Sequence, residues 1–284
     1  MINIPRPEVS LKHRFGPTAL ITGASDGIGR AFAIQLAEQG FDLILIARRE
    51  TALKDLALQL EDGFSVDVQV LALDLSRPAA TAKIIALTES EQVGLVVAAA
   101  GFGSVGPFLE QDIASEGNMV DLNCRSVIEL IHGVGQRMSA RGRGGIILLG
   151  SLVGFQGAPY SATYAATKGF VQSFAEGLAP ELKAQGVSVL AVAPAQVETG
   201  FAARAGMQMS KAATPDTVAR GALAALGKRG TVRPGFLAKF LGGSLSILPR
   251  WGRVRVLGAI MKSMMPKGSA TNSGQIATTS VPKS

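Results

Sequence analysis

The chain has 284 residues, 47% of them hydrophobic and 17% charged, with a mean hydropathy of +0.30 and a net charge of +7. This length can bury one large core, and doubly wound folds of this size are commonly one domain. The single cysteine, Cys124, excludes an intramolecular disulfide and a multi-cysteine metal site, and two histidines, His13 and His132, argue against a zinc site or a Ser-His-Asp triad.

Residues 1–16 contain Arg6, Lys12 and Arg14 but no apolar run of the length that a signal peptide needs. We therefore expect an amino-terminal extension to the fold and a cytoplasmic protein.

A glycine-rich turn joins the first apolar run to a helical pattern. The turn reads Gly-Ala-Ser-Asp-Gly-Ile-Gly over residues 23–29. Between a strand and a helix, the backbone N–H groups of such a turn bind a phosphate, with the helix dipole adding to the attraction. Gly23 permits the tight turn, Gly27 the close approach of the backbone, and Gly29 the packing of helix on strand. The alternative is an ordinary turn with Asp26 as helix N-cap.

Apolar runs alternate with helical patterns along most of the chain. The runs are almost continuously hydrophobic, as expected when helices cover both faces of a parallel sheet. Right-handed crossovers then predict an α/β fold, a doubly wound, Rossmann-type sheet of about seven strands in one domain, with its ligand at the carboxyl ends of the strands. The predicted strands are residues 17–22, 42–47, 66–73, 94–99, 145–150, 187–193 and 231–233.

Two arginines, Arg48 and Arg49, follow the second predicted strand. An acidic residue at this place accepts hydrogen bonds from the ribose 2′-hydroxyl of NAD, whereas the 2′-phosphate of NADP favours arginine. The pair therefore favours NADP(H), with NAD(H) as the alternative cofactor. The alternative interpretation is that both arginines are solvated charges at the end of a strand.

Tyr164 and Lys168 lie four residues apart, which on a helix places both side chains on one face. A free phenol titrates near 10, and a neighbouring ammonium lowers that pKa, so that tyrosine becomes a usable acid or base at neutral pH. By itself this spacing is common, and an ordinary surface pair is the alternative.

Further motifs follow one another in a definite order. Asp74-Leu75 follows the third apolar run, Asn123 ends the run Asp-Leu-Asn, Ser151 precedes Tyr164 by thirteen residues, and Pro194 opens Pro-Ala-Gln-Val-Glu-Thr. With the glycine-rich turn and the Tyr164 and Lys168 pair, they resemble the short-chain dehydrogenase/reductase family over residues 17–235. The resemblance implies an NAD(P)-dependent oxidoreductase that interconverts a carbonyl and a secondary alcohol.

The resemblance also implies a role for each site residue. Tyr164 would transfer the proton, Ser151 would donate a hydrogen bond to the substrate oxygen, and Lys168 would lower the pKa of Tyr164 and hold the nicotinamide ribose. Asn123 would position a water that passes protons to Lys168. The implied cofactor-binding set is Gly23, Ser25, Asp26, Gly27, Ile28, Gly29, Arg48, Asp74, Leu75, Ala100, Gly101, Tyr164, Lys168, Pro194, Val197 and Thr199.

The chain departs from the family pattern in two places. Ala98 and Ala99 stand where relatives usually have asparagines, and Ala195 stands where they usually have glycine. We expect the lost amides to weaken side-chain bonds that brace the sheet, without removing backbone contacts to the cofactor. A nonenzymatic protein that senses NADPH is the alternative function, although it would not need the full set of Asn123, Ser151, Tyr164 and Lys168.

The segments expected to enclose the substrate are rich in large apolar residues, which suit a neutral carbonyl or alcohol on an acyl chain, a sterol or an aldehyde. The same residues can equally belong to the core. By resemblance, a homo-oligomer is expected, formed through the helices that carry Asn123 and Tyr164. The candidate lining residues are Phe102, Phe108, Val153, Phe155, Tyr160, Phe201, Met207 and Met209.

The carboxyl end is strongly basic. After Asp216 there are 11 lysines and arginines and no acidic residue, which leaves −4 for residues 1–216 and gives little support to a nucleic-acid partner. Residues 236–267 form a basic amphipathic segment, with a helix expected from Pro249 onward. Its apolar side would contact an anionic membrane surface, or pack on the protein's own core or a partner subunit. That side holds Val254, Leu257, Met261 and Met264, with Arg255 and Lys262 opposite, and residues 268–284 are expected to be disordered.

Overall fold

The computed structural model describes residues 10–200 and 212–265. In these ranges seven strands form one sheet, parallel throughout, in the order β3-β2-β1-β4-β5-β6-β7. Each predicted strand is confirmed, with ends that differ by at most two residues. The strands are β1 Thr18–Thr22, β2 Asp42–Ala47, β3 Val68–Ala72, β4 Val93–Ala98, β5 Gly144–Leu149, β6 Val187–Val192 and β7 Thr231–Val232.

Ten α-helices lie in the described ranges, and a π turn, Asp121–Arg125, joins α5 to α6. Pro249 is the N-cap of α10, one residue before the position expected for it. The helices are α1 Leu11–Phe15, α2 Gly27–Ala37, α3 Glu50–Phe64, α4 Pro78–Leu87, α5 Ile113–Val120, α6 Ser126–Ala140, α7 Ala162–Lys183, α8 Pro215–Ala225, α9 Phe236–Ile247 and α10 Arg250–Met264.

Helices cover both faces of the sheet, which confirms the doubly wound architecture. Alternate residues of one strand enter different cores: Ile21 of β1 packs with α2, α3 and α8, whereas Leu20 packs with α4, α6 and α7. Because both faces are buried, each central strand is hydrophobic throughout. The amino-terminal extension contributes to the first core, since Phe15 of α1 is only 4% exposed.

The strand order reverses direction between β1 and β4, its topological switch point. In open α/β sheets, ligands bind in the crevice beyond the carboxyl ends of the strands at this point. The fold therefore predicts a ligand site at the loops after β1 and β4. Across the part of the chain that the structure describes, no helix combines the length and apolar character needed to cross a membrane.

Candidate active site

A cleft of about 740 Å³ opens where the loops after β1, β2, β3, β4, β5 and β6 meet. Every residue of the predicted cofactor-binding set lines this cleft, as do Ser151, Tyr164 and Lys168 of the predicted catalytic set. Asn123 lies behind the cleft, 1% exposed. The structure thus brings together residues that are up to 176 positions apart in the chain, between Gly23 and Thr199.

The glycine-rich turn makes close contact with the loop after β4. Gly23 has φ +70°, and a Cβ on it would lie 2.9 Å from the Ala100 Cα, so a larger residue would displace the backbone. The turn leads into α2, whose first turn receives no side-chain cap from Asp26. Its backbone N–H groups therefore suit the oxygens of a phosphate, which fits a dinucleotide cofactor.

The two arginines after β2 differ in their surroundings. The Arg49 guanidinium donates to the Ser25 carbonyl at 2.9 Å and to the Ser25 hydroxyl at 3.3 Å, and it lies 3.9 Å from the Asp26 carboxylate. Arg48 lines the cleft and is exposed. Sequence reasoning assigned a ligand role to Arg48 alone, although the adjacent Arg49 also lines the cleft.

Asn123 sits in the π turn, a rare distortion that often marks functional sites in helices. Its amide group donates to the Phe102 carbonyl at 2.9 Å and to the Thr167 hydroxyl at 3.0 Å. Its carbonyl accepts from the Phe102 N–H at 3.2 Å. Asn123 therefore ties the loop after β4 to α7, one residue before Lys168. The water that it was expected to position remains a prediction.

The loop after β5 packs directly on the helix that carries Tyr164 and Lys168. A Cβ at Gly154 would lie 2.6 Å from the Lys168 carbonyl carbon, so only glycine allows this approach. Ser151 caps the short 3₁₀ turn Leu152–Phe155 through a 3.4 Å bond from the Val153 N–H. The Ser151 side chain also hydrogen bonds to that of Tyr164.

Lys168 and Tyr164 share one face of α7, as the four-residue spacing predicts. The Lys168 Nζ lies 5.7 Å from the centre of the Tyr164 ring and donates to the Leu149 carbonyl at 2.7 Å. Burial lowers the pKa of Lys168 to about 8, with a smaller opposing effect from Cys124. The ammonium therefore remains mostly charged at neutral pH.

The pKa of Tyr164 moves in the direction opposite to the sequence prediction. Burial raises this pKa to about 12, although the hydrogen bond with Ser151 lowers it in part. The expectation of a lowered value was wrong for the protein alone, because removing the phenol from water outweighs the favourable contacts. At neutral pH the phenol is protonated, and so it holds a proton that it can donate.

A comparison with known protein families agrees with the geometry of the site. Residues 17–210 match the profile of the short chain dehydrogenase family, which is more than half of the chain. The chain belongs to the short-chain dehydrogenase/reductase family. It is therefore an NAD(P)-dependent enzyme that acts on CH–OH and C=O groups.

Relatives within the family include enzymes of steroid and acyl-chain chemistry. A 7beta-hydroxysteroid dehydrogenase from Clostridium sardiniense is 32% identical over 182 residues, 64% of this chain and 70% of that protein. A very-long-chain 3-oxoacyl-CoA reductase from Neurospora crassa is 35% identical over 193 residues, 66% of this chain and 58% of that protein. The structure of a short-chain dehydrogenase from Sphingobium yanoikuyae in complex with NADPH superposes with a TM-score of 0.73 at 32% identity, covering 90% of this chain and 99% of that one.

The part of the cleft away from the glycine-rich turn is walled by the C-terminal helices, which sequence reasoning did not place there. Their contribution is wholly apolar. Leu257, Met261 and Met264 of α10 are buried and pack with Val153 and Tyr164. For these three residues, the structure agrees with the alternative that the apolar side packs on the protein's own core. The lining residues from these helices are Leu237, Leu241, Leu257, Ile260, Met261 and Met264.

The predicted substrate-contacting residues divide into three groups in this short-chain dehydrogenase/reductase. Phe102 and Val153 line the cleft. Three of them do not line it. Phe108 is 52% exposed, and the Phe155 ring lies 4.6 Å from the Arg233 guanidinium. Tyr160 has a left-handed backbone conformation, φ +65°, and packs with the cluster that contains Leu257, Met261 and Met264 of α10. Phe201, Met207 and Met209 lie outside the described residues. No group of three His, Cys, Asp or Glu residues within 10–200 and 212–265 could hold a metal.

Proposed function

We propose that this enzyme uses NADP(H) to interconvert a carbonyl and an alcohol on a bulky, apolar substrate. The observation that carries the proposal is the position of Ser151, Tyr164 and Lys168 along one cleft. Toward one end the cleft is lined by Arg48 and Arg49, and toward the other by the aliphatic and thioether side chains of α9 and α10.

The arginines support a preference for NADP(H) over NAD(H). Arg49 is already held beside the glycine-rich turn by its bonds to Ser25, and Arg48 adds a second exposed guanidinium to the same wall. Guanidinium groups match phosphate oxygens in charge and geometry, whereas they offer nothing specific to a 2′-hydroxyl. The complex of a relative with NADPH is consistent with this preference.

The catalytic residues divide the work of reduction. The glycine-rich turn and the arginines would hold NADPH, which when bound would supply the hydride for the carbonyl carbon. Tyr164, protonated at neutral pH, gives its proton to the carbonyl oxygen, and Ser151 donates a hydrogen bond to that oxygen as its negative charge develops. The Lys168 ammonium, held by the Leu149 carbonyl, then stabilises the phenolate that remains. The product is the alcohol, and the reverse sequence oxidises it.

The cleft wall favours an apolar substrate. The charged residues that line it are Asp26, Arg48, Arg49, Asp74 and Lys168, and all of these belong to the cofactor-binding loops or the catalytic helix. The described residues that α9 and α10 contribute to the wall include no charged, hydroxyl or amide side chain, and their most polar atoms are the thioether sulfurs of Met261 and Met264. A ketone or alcohol on a steroid or a long acyl chain fits such a wall better than a small charged metabolite.

A turnover screen combined with one substitution tests the proposal. NADPH absorbance is followed with a ketosteroid, a long-chain 3-oxoacyl thioester, a long-chain aldehyde and, as a polar control, a short 2-oxo acid. We expect turnover with at least one apolar carbonyl and little with the oxo acid. Tyr164→Phe should abolish nearly all of it while NADPH binding stays close to wild type, because the ring remains and only the proton donor is lost.

The outcomes separate the parts of the proposal. A Tyr164→Phe enzyme within about tenfold of wild type, or about 1.4 kcal/mol in barrier, contradicts the role of Tyr164. Tight NADPH binding without turnover of any apolar carbonyl or alcohol supports the cofactor sensor instead. Preferential turnover of the short oxo acid would contradict the substrate class and leave the catalytic set intact.

A further inference from the structure

The C-terminal helices α9 and α10 also carry large apolar side chains that do not line the cleft. Six of the fourteen exposed large apolar residues in the described ranges fall between Phe236 and Val256. We define the outer face as five of these, listed with their exposure: Phe236 84%, Phe240 60%, Ile247 85%, Leu248 38% and Trp251 66%.

The outer face is distinct from the packed side of the same helices. On α9, Leu237 and Leu241 line the cleft and Ala238 is 1% exposed, so this side already serves the fold. Phe236 and Phe240 lie one helical turn apart, and their rings stack with centroids 6.2 Å apart. The exposed rings are therefore additional to what the cleft and the core require. A concentrated apolar surface of this kind marks an interaction site.

The charged side chains on the helices that carry the outer face are all basic. In the described residues after Asp216 there is no acidic side chain, and Arg250, Arg255 and Lys262 of α10 are exposed. The Arg255 guanidinium lies 5.6 Å from the centre of the Trp251 ring. Tryptophan and phenylalanine beside basic residues are the side chains that settle at the boundary between lipid headgroups and acyl chains.

The same charge argues against a second copy of this chain as the occupant. A two-fold contact places the same patch of both subunits together, so the basic side chains would face one another. Like charges in contact disfavour association, whereas a surface of anionic lipid neutralises them.

We propose that the outer face docks on a membrane that contains anionic lipid. The contact is peripheral, with the rings of Phe236, Phe240 and Trp251 entering the headgroup region and the arginines pairing with lipid phosphate. Because α9 and α10 also line the cleft, docking brings that cleft to within about one helix diameter, ~10 Å, of the lipid. An apolar substrate dissolved in the bilayer would then be concentrated near it. The docking itself does not depend on the proposed reaction.

Trp251 is the only tryptophan in the chain and lies in the outer face, so it reports on docking directly. The full chain is titrated with vesicles of phosphatidylcholine alone and of phosphatidylcholine with about 30 mol% phosphatidylserine, at low and high salt. We expect a blue shift of its emission and co-sedimentation with the anionic vesicles, both weakened by salt. The neutral vesicles should bind more weakly.

Paired variants identify the surface responsible. The double substitution Phe236→Ser with Phe240→Ser, and separately Arg250→Glu with Arg255→Glu, should each lower the affinity for anionic vesicles at least tenfold. Leu58→Ser, which removes an exposed leucine of α3 (62% exposed), is the matched control and should bind as wild type does. Circular dichroism and NADPH binding establish that each variant is folded.

Three results would overturn the proposal. The first is an unshifted Trp251 spectrum and a protein that stays in solution with anionic vesicles at low salt. The second is loss of binding in Leu58→Ser equal to that in the double variants, which would indicate nonspecific adsorption. The third is a change of oligomeric state in Phe236→Ser with Phe240→Ser without a change in lipid affinity, which would assign the outer face to a protein contact.

Discussion

At the scale of single residues, the two arginines after β2 are adjacent in sequence but differ in what holds them. Both arginines line the cleft and are exposed, and Arg49 is in addition held by hydrogen bonds to Ser25 of the glycine-rich turn. A substitution at Arg49 therefore disturbs the turn that both cofactors share, and one at Arg48 removes only a guanidinium. The two effects can be separated by comparing cofactors.

We predict that Arg48→Ala weakens NADPH binding by tenfold or more and leaves NADH binding unchanged, since each charge-assisted bond is worth roughly 1.5–3 kcal/mol. Arg49→Ala should weaken both cofactors. Cofactor fluorescence titration measures each affinity, with Lys54→Ala, an exposed cation of α3 paired with Glu50, as the charge control. A wild-type preference for NADH, or an unchanged NADPH affinity in Arg48→Ala, would show that Arg48 is only a solvated charge.

Lys168 is a buried cation, 6% exposed, whose burial lowers its pKa from 10.5 to about 8. Between these two values the unfolded chain binds more protons than the folded one, so the contribution of Lys168 to stability rises with pH through this window. Below pH 8 the folded protein carries the full cost of the buried charge. The proposed mechanism gives a reason for that cost, because it uses the ammonium of Lys168 beside Tyr164.

We therefore expect the free energy of unfolding of wild type to increase relative to Lys168→Met between pH 8 and 10.5, by at most about 3 kcal/mol. Urea unfolding of both proteins without cofactor, at pH 7 and pH 10, measures the difference. Titrating groups that do not interact with Lys168 cancel because both proteins share them, and Cys124, which does interact with it, is replaced by serine in both proteins. A difference that stays constant with pH would mean that the pKa of Lys168 is not lowered in the fold.

At the scale of helices and strands, the sequence predicts what depends on local patterns. The strands were found because burial on both faces requires continuous apolar runs, and the Tyr164 and Lys168 contact follows from helical spacing alone. The π turn that aims Asn123 at Phe102 and Thr167 leaves no such pattern, because it is one extra residue within a helix. The Asn123 partners could be located only in three dimensions.

The C-terminal helices show the same limit more clearly. The pattern of α10 identifies Leu257, Met261 and Met264 as one apolar side, but a pattern cannot say what will cover that side. Contacts between residues distant in sequence decide what covers it. Here the apolar side of α10 packs against Val153 and Tyr164 and forms part of the cleft wall. Leu257, Met261 and Met264 are buried together, and the remaining exposed apolar residues became recognisable only once these buried ones were assigned.

At the scale of the whole molecule, one more apolar surface is exposed. A stripe along α5, the π turn and α6 holds Ile113 (74% exposed), Val120 (45%) and Ile128 (43%), and Leu109 (93%) precedes it. The three stripe residues are seven and eight positions apart, which places them on one side of the continuous helical segment. This segment carries Asn123, and it is one of the two through which the resemblance implies that subunits pair.

We predict that the protein is a homo-oligomer held by this stripe, and that Ile113→Glu with Val120→Glu converts it to a species of 29.4 kDa, the mass of one chain. Each introduced carboxylate would be buried in the interface without a partner. A two-fold interface contains every substituted position twice, so the destabilising effect is doubled. Sedimentation velocity measures the mass, with Leu58→Glu on α3 as the control that should stay oligomeric. Because Asn123, in this same segment, hydrogen bonds to Thr167 next to Lys168, the monomer should also turn over more slowly. A wild-type protein that sediments at 29.4 kDa with full activity would contradict the prediction and leave the stripe as an ordinary exposed surface.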